Sequence, residues 1–148
     1  MGVVFGVMQA VKIPYSVFPD QFGSYVYSVR LSVSVALPTL GAPRTKRFEA
    51  IIDSGATRCM FHSDIGRFLG LKIESGEKEI TQGIGGLTDT YLHDIALYVP
   101  GGPVTIKAAF KDDLPIAALL GMNGFFEHFV VTFNQNALIC EIERTYRA

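Results

Sequence analysis

Residues 47–57 read Arg47-Phe48-Glu49-Ala50-Ile51-Ile52-Asp53-Ser54-Gly55-Ala56-Thr57. An apolar run of strand type delivers an acid, a hydroxyl and a glycine into a turn. Gly55 allows backbone conformations and a close approach that a side chain would forbid, so the Asp53 carboxylate is presented on a tightly built loop. Alone, Asp-Ser-Gly is ordinary turn chemistry. The segments around it decide its weight.

Upstream, residues 25–37 (YVYSVRLSVSVAL) alternate with a period of two. Tyr25, Tyr27, Val29, Leu31, Val33, Val35 and Leu37 face one way, and Ser28, Arg30, Ser32 and Ser34 the other, as in a half-buried strand. Prolines, glycine and charges make 38–46 a loop. Downstream, HSDIGRFLGL (62–71) reads as a short helix capped by Ser63 or Asp64, with Ile65, Phe68 and Leu69 on one face and Gly70 ending it. Residues 72–82 are polar and extended, 87–99 and 104–110 are strand candidates on either side of a Gly101-Gly102-Pro103 turn, and a second short helix is expected over about Met122–His128. Residues 128–133 and 137–143 form a hairpin around Asn134-Gln135-Asn136. Many short strands with two brief helices make the chain mostly β, and strands this numerous and short point to a closed, barrel-like sheet.

Two further glycine signals follow Asp53 in order. About thirty residues on, Gln82-Gly83-Ile84-Gly85-Gly86 places three glycines around one isoleucine between extended segments, a hairpin tip with the freedom a moving lid needs. Later, Ala118-Leu119-Leu120-Gly121 would let a buried strand pass close beneath the Asp53 loop. Each signal is common by itself.

Their order and spacing resemble the retropepsin family of aspartic proteases. The resemblance spans roughly residues 25–143, and LLGMNGFFEHFVVTF (119–133) looks especially like bacterial members. It implies a closed β fold with one lobe per chain, in which residues 25–148 form the protease domain and residues 1–24 an N-terminal extension that could serve as an interface strand. It implies that Asp53 is the catalytic aspartate. Ser54 would hydrogen-bond across to a partner's loop. Gly55, Ala56 and Thr57 complete the active-site loop, whose backbone carbonyl would receive substrate amides. Gly83, Ile84, Gly85 and Gly86 would be the flap tip over a bound peptide, and Leu119, Leu120 and Gly121 the support beneath. The sequence departs from many viral members at Thr57, where they carry a second acid, and at Met122, where they carry an arginine.

Peptide hydrolysis by this route needs two carboxyl groups sharing one proton and holding one water. Carboxylates about 3 Å apart do not both ionise easily, so the pair divides into an acid and a base. Only one Asp-Ser/Thr-Gly occurs in the chain, and a two-lobed enzyme would need a second copy in about twice the length. The expectation is therefore a homodimer with Asp53 from each chain on the two-fold axis, acting on a peptide or protein substrate. A peptide-binding or dimerisation module of the same fold without proteolysis is the alternative. The segments MGVVFGVMQAV (1–11) and ALICEIE (137–143) are apolar enough to be interface strands or ordinary core strands.

The remaining composition excludes other classes. Apolar residues make up 49% and charged residues 18% of 148, which suits one well-packed domain. The net charge of -1 leaves no electrostatic footprint for nucleic acid. The opening segment lacks a basic start and is too short to span a bilayer, so an N-terminal strand and a cytoplasmic location are expected. Cys59 and Cys140 are read as small buried hydrophobes. His62, His93 and His128 are isolated from one another, so neither a metal nor any other cofactor is expected.

Overall fold

The structure, a computed structural model, describes residues 10–146. It begins with β1 (Val11–Pro14), β2 (Ser16–Pro19), β3 (Tyr25–Ser28), β4 (Arg30–Ala36) and β5 (Phe48–Ile52). Next come β6 (Met60–His62), helix α1 (Ser63–Phe68), a 3-10 turn at Ile73–Ser75, β7 (Glu77–Gly83), β8 (Gly86–Val99) and β9 (Gly102–Lys111). β10 (Ala118–Leu120), a second 3-10 turn at Phe126–His128, β11 (Phe129–Asn134) and β12 (Ile139–Arg144) complete it. Among the described residues no helix is long and apolar enough to cross a membrane. Most of the expected N-terminal strand (1–11) lies outside the described residues.

The main sheet runs β4-β5-β10-β6-β9-β8-β7, and β8 pairs back onto β4 through Ser34–Tyr98, Val35–Leu97 and Ala36–Ala96. That last pairing closes the sheet on itself, as the many short strands led one to expect. Val33, Val35, Phe61, Ile95, Leu97, Phe110 and Leu120 are almost wholly excluded from water inside it. A second sheet, β1-β12-β11, packs Ile13, Cys140 and Ile142 onto the same core. β12 is its middle strand, so residues 139–143 of the apolar segment 137–143 form a core strand with both edges paired inside the chain, while Ala137 and Leu138 lie in the turn before it.

Three expectations need correction. The 25–37 strand is two strands: Tyr25–Ser28 pairs with β2, whereas Arg30–Ala36 pairs with β5 and β8. The period of two continues across Val29, but the hydrogen-bonding partner changes there, and Tyr25 and Tyr27 are left exposed. In α1 the fully buried residues are Ser63 and Gly66; Ile65 and Leu69 pack half-buried against the core as expected, but Phe68 points outward at 73% exposure. A Cβ on Gly66 would stand 2.7 Å from Ile73 Cδ1 and 2.9 Å from Phe110 Cε1, so the helix sits too close to the sheet for a large residue on that face. Its cap is the His62 side chain, which accepts from the Asp64 amide at 3.1 Å, in place of Ser63 or Asp64. The helix expected over Met122–His128 shrinks to the turn Phe126–His128, because Gly124 at φ +100° breaks the right-handed path.

Candidate active site

β5 and β6 are consecutive in the chain but do not pair with each other. β10 lies between them, parallel to β5 (Leu119–Ile51, Leu120–Ile52) and antiparallel to β6 (Ala118–Phe61, Leu119–Met60). The connecting loop, 53–59, must therefore ride over the segment leaving β10. It does so through backbone hydrogen bonds. The Asp53 amide donates to Leu120 O at 3.0 Å, Met122 donates to Ala56 O at 2.8 Å, Asn123 donates to Thr57 O at 2.9 Å, and Cys59 donates to Asn123 O at 3.2 Å.

The contact explains Gly121. A Cβ there would stand 2.6 Å from Ala56 O and closer still to Arg58 O. The Leu119-Leu120-Gly121 sequence thus combines a residue buried against the core at Leu120 with a backbone that must be bare at the next position. Below lies Cys59, wholly buried, whose thiol is pushed up to about 11 by burial, outweighing a backbone hydrogen bond involving Gly121. Cys140 is also buried and unbridged, in keeping with the small-hydrophobe reading of both.

Asp53 itself is half-buried, while Ser54, Gly55 and Thr57 are exposed. Its Oδ1 accepts the Gly55 amide at 2.9 Å, and its carbonyl accepts the Ala56 amide at 3.2 Å. The carboxylate is thereby aimed by its own turn. A Cβ on Gly55 would stand 3.2 Å from Oδ1, which is why this position favours glycine. The carboxylate opens into a cleft of about 390 Å³ walled by Ile51, Ile52, Tyr27, Ser28, Phe133 and Gln135. A larger cleft of about 580 Å³, bordered by Arg44, Tyr98 and the 100–103 turn, includes none of the Asp53 loop and offers no comparable acid.

The glycine-rich segment forms the tip of the β7–β8 hairpin. Gly83 pairs with Gly86, Ile84 is fully exposed, and Ile80 and Leu87 are largely so. The tip does not line the Asp53 cleft. The hairpin is tied to the loop lower down, where Arg58 Nε donates to Glu79 Oε1 at 2.9 Å and Oε2 at 3.1 Å. One step along, buried Thr90 donates to Glu79 O at 3.0 Å. Glu79 is therefore gripped from both sides, and the four residue pairs beyond it form the free end of the hairpin.

Sequence reasoning did not find the Arg58–Glu79 pair, since opposite charges 21 residues apart carry no spacing signal. Nor did it place Tyr27, Phe133 and Gln135 beside Asp53, because strand periodicity names a face and not a neighbour. Two of the three histidines have structural side-chain partners: His62 caps α1, and His93 Nε2 lies 2.8 Å from Ile73 O. Asp112, exposed in the loop after β9, takes Arg67 at 2.7 Å, and that guanidinium holds its carboxyl below the usual range. Among the described residues no group of three or more His, Cys, Asp or Glu gathers in a way that could hold a metal.

No protein-family model matches the chain, and no curated protein sequence does. Solved structures do. A retropepsin-like aspartic protease from Rickettsia conorii superposes over 90% of this chain and 98% of its own, with a TM-score of 0.59 at 15% identity. The chain has the retropepsin-like fold. A second similar structure, EIAV protease in complex with an inhibitor, covers 62% of this chain and 79% of its own at 17% identity and a TM-score of 0.48. In the retropepsin-like fold of this chain, the strand β10 and the loop 53–59 form the floor, and the β7–β8 hairpin is the free ribbon.

Proposed function

We propose that the protein is an aspartic endopeptidase that works as a homodimer, with one Asp53 carboxyl from each chain sharing a proton and holding a water. The carrying observation is the Asp53 carboxylate, aimed into a cleft by the Gly55 amide on a loop hydrogen-bonded along its length to residues 120–123. A floor of that kind keeps a reacting group in place, which is where positioned acid–base catalysis gains its rate. One carboxyl takes a proton from the water as it attacks, and the other protonates the scissile carbonyl oxygen.

The other roles follow from position. Ser54, exposed beside Asp53, is placed to reach a partner's loop. The carbonyls of Gly55 and Ala56 differ in use: Ala56 O is taken by Met122, which leaves Gly55 O for a substrate amide. Gly83, Ile84, Gly85 and Gly86 close over the peptide, with Ile84 as the apolar tip, while Leu119, Leu120 and Gly121 carry the floor. Thr57 supplies no second acid, and Arg58 next to it is engaged by Glu79. The substrate is an extended peptide bound by main-chain hydrogen bonds along both edges of the cleft.

Wild type and Asp53→Asn, incubated with a diverse peptide pool from about pH 3 to 8, give the test. The wild type is expected to cleave, and the variant to lose about 10³-fold or more of that rate. Equal behaviour of the two proteins across the range overturns the proposal.

A further inference from the structure

We infer that the ribbon formed by β2 and β3 is an arm with which one copy of this chain grips a second copy beside the Asp53 cleft. It rests on the two-copy reading above and assigns the contact to a two-stranded surface formed by residues 16–28.

Among the described residues the two strands pair only with each other. Val17–Tyr27 and Pro19–Tyr25 lie across from one another on one face, and Phe18–Val26 on the other. Among the described residues no strand or helix covers either face; the Arg30 guanidinium alone lies over the Phe18 ring, 4.9 Å from its centroid. Val17 is 42% exposed, Phe18 44%, Tyr25 62%, Val26 54% and Tyr27 44%, and Phe22 at the tip reaches 84%. An isolated two-stranded hairpin is marginal in water, and a contiguous apolar surface of this kind marks a contact site. The only charged residue between Ser16 and Ser28 is Asp20, and its Oδ1 is occupied by the Phe22 and Ser24 amides, both at 2.8 Å.

Those two bonds, with Asp20 N to Ser24 O at 2.9 Å and Gly23 at φ +80°, build the turn before anything docks. Phe22 is thus held out on a formed support. An aromatic anchor of that type is what dominates binding energy at interfaces, and its ordering cost is already met.

The base of the ribbon identifies the occupant. Tyr27 and Ser28 wall the same cleft as Asp53. If two Asp53 carboxyls are to meet at about 3 Å, the second copy must sit against the mouth of that cleft. The arm is thus rooted in the cleft wall against which the partner must sit. By two-fold symmetry each copy offers one arm and receives one, and the exposed apolar side chains of two arms amount to on the order of 1,000 Å², the range a specific dimer needs.

The test compares wild type, Asp53→Asn and Phe22→Asp/Val26→Asp by sedimentation and peptide cleavage over a dilution series. The ribbon variant is expected to dimerise at least about tenfold more weakly, to lose cleavage on dilution and to regain it when concentrated. Asp53→Asn is expected to dimerise like wild type without cleaving. A ribbon variant that dimerises as tightly as wild type overturns the inference, as does a raised KM with dimerisation unchanged, which would make the ribbon a substrate contact. A wild type that stays monomeric when concentrated overturns it as well. If instead the ribbon variant weakens the dimer while Asp53→Asn still cleaves, the arm stands and the aspartic mechanism fails. A measurement free of variants is oxidative footprinting of wild type above and below its dimerisation midpoint. Protection of Phe22, Tyr25 and Tyr27 is expected, and unchanged labelling overturns the inference.

Discussion

The floor of the proposed site and the tip of its free hairpin are both glycine-rich, for opposite reasons. At the floor, a Cβ on Gly55 would stand 3.2 Å from Asp53 Oδ1, one on Gly121 2.6 Å from Ala56 O, and one on Gly124 3.1 Å from Cys59 Sγ. At the tip, a Cβ on Gly83, Gly85 or Gly86 would meet nothing within 4 Å. The floor glycines supply room, letting one backbone lie on another; those at the tip supply conformational freedom in open solvent. A lid that moves over a floor that does not requires this division, since local stability differs across a fold with the density of contacts each segment makes.

The comparison breaks most visibly at Gly121. Gly121→Ala forces the loop 53–59 off the β10 segment, because the neighbours are backbone carbonyls that cannot rotate away. The expected loss is about 3 kcal/mol or more, a fall in Tm of roughly 6–12 °C for a chain of this size. Thermal unfolding followed by circular dichroism measures it, and a melting point within a degree or two of wild type would show that the floor is not close-packed.

Cys59 sharpens the same contrast through pH. Burial holds its thiol up near 11 against an ordinary 9.0. Below about pH 9 both the folded and unfolded chains keep the proton. Between 9 and 11 the unfolded chain sheds it and the folded one does not, so the folded state loses stability as pH rises through that window. The loss attributable to this thiol is about 2 kcal/mol. Urea unfolding at pH 8 and pH 11 should show a smaller alkaline drop in Cys59→Ala than in wild type, although the variant starts lower for want of packing. Identical drops in both proteins would mean that the thiol is accessible.

What the sequence disclosed and what it withheld divide along physical lines. Local signals were legible: the period of two in β4, the strand running into Asp53, the glycines at 83–86, and the Leu119-Leu120-Gly121 run that does lie against the 53–59 loop. Pairing was not. Nothing in YVYSVRL shows that the chain changes partner at Val29, because alternation reports a face and says nothing of the neighbouring strand. The surprise at α1 has the same origin: Ile65 and Leu69 pack against the core as expected, but Phe68 does not, because the sheet approaches so closely at Gly66 that this small residue takes the contact. The pairing of β2 with β3 also went unseen: residues 16–24 were expected only as part of an extension that could serve as an interface strand, and 25–28 as the start of one long strand. Asp53 could be located from sequence; its cleft walls, drawn from β3, β5, β11 and the turn after β11, could not.

Between floor and tip stands the Arg58–Glu79 pair, which fixes where the rigid part ends. Its side chains are 27% and 34% exposed, so it belongs with partly screened surface pairs. A double-mutant cycle with Arg58→Met and Glu79→Gln should give a coupling of about 0.5–1 kcal/mol in stability. With the tie released, the hairpin hinges nearer its base, and kcat/KM is expected to fall several-fold in either single variant with no further fall in the double. Additive effects on kcat/KM would show that the pair does not act as one link.

The smallest expected effect on stability lies at the tip. Gly85→Ala meets no atom within 4 Å, and Gly85 is not among the residues held at positive φ. The substitution should change stability by no more than about 0.5 kcal/mol, and it could even stabilise by restricting the unfolded chain. The same restriction acts on the hairpin when it must bend over a peptide, so cleavage is expected to slow by up to about tenfold while Tm stays put. Gly121→Ala, in contrast, should lower Tm first and activity only as a consequence. If Gly85→Ala leaves both Tm and cleavage unchanged, the exposed tip does not close over substrate. The glycines there would then be an ordinary turn, and only the floor would retain a role in the site.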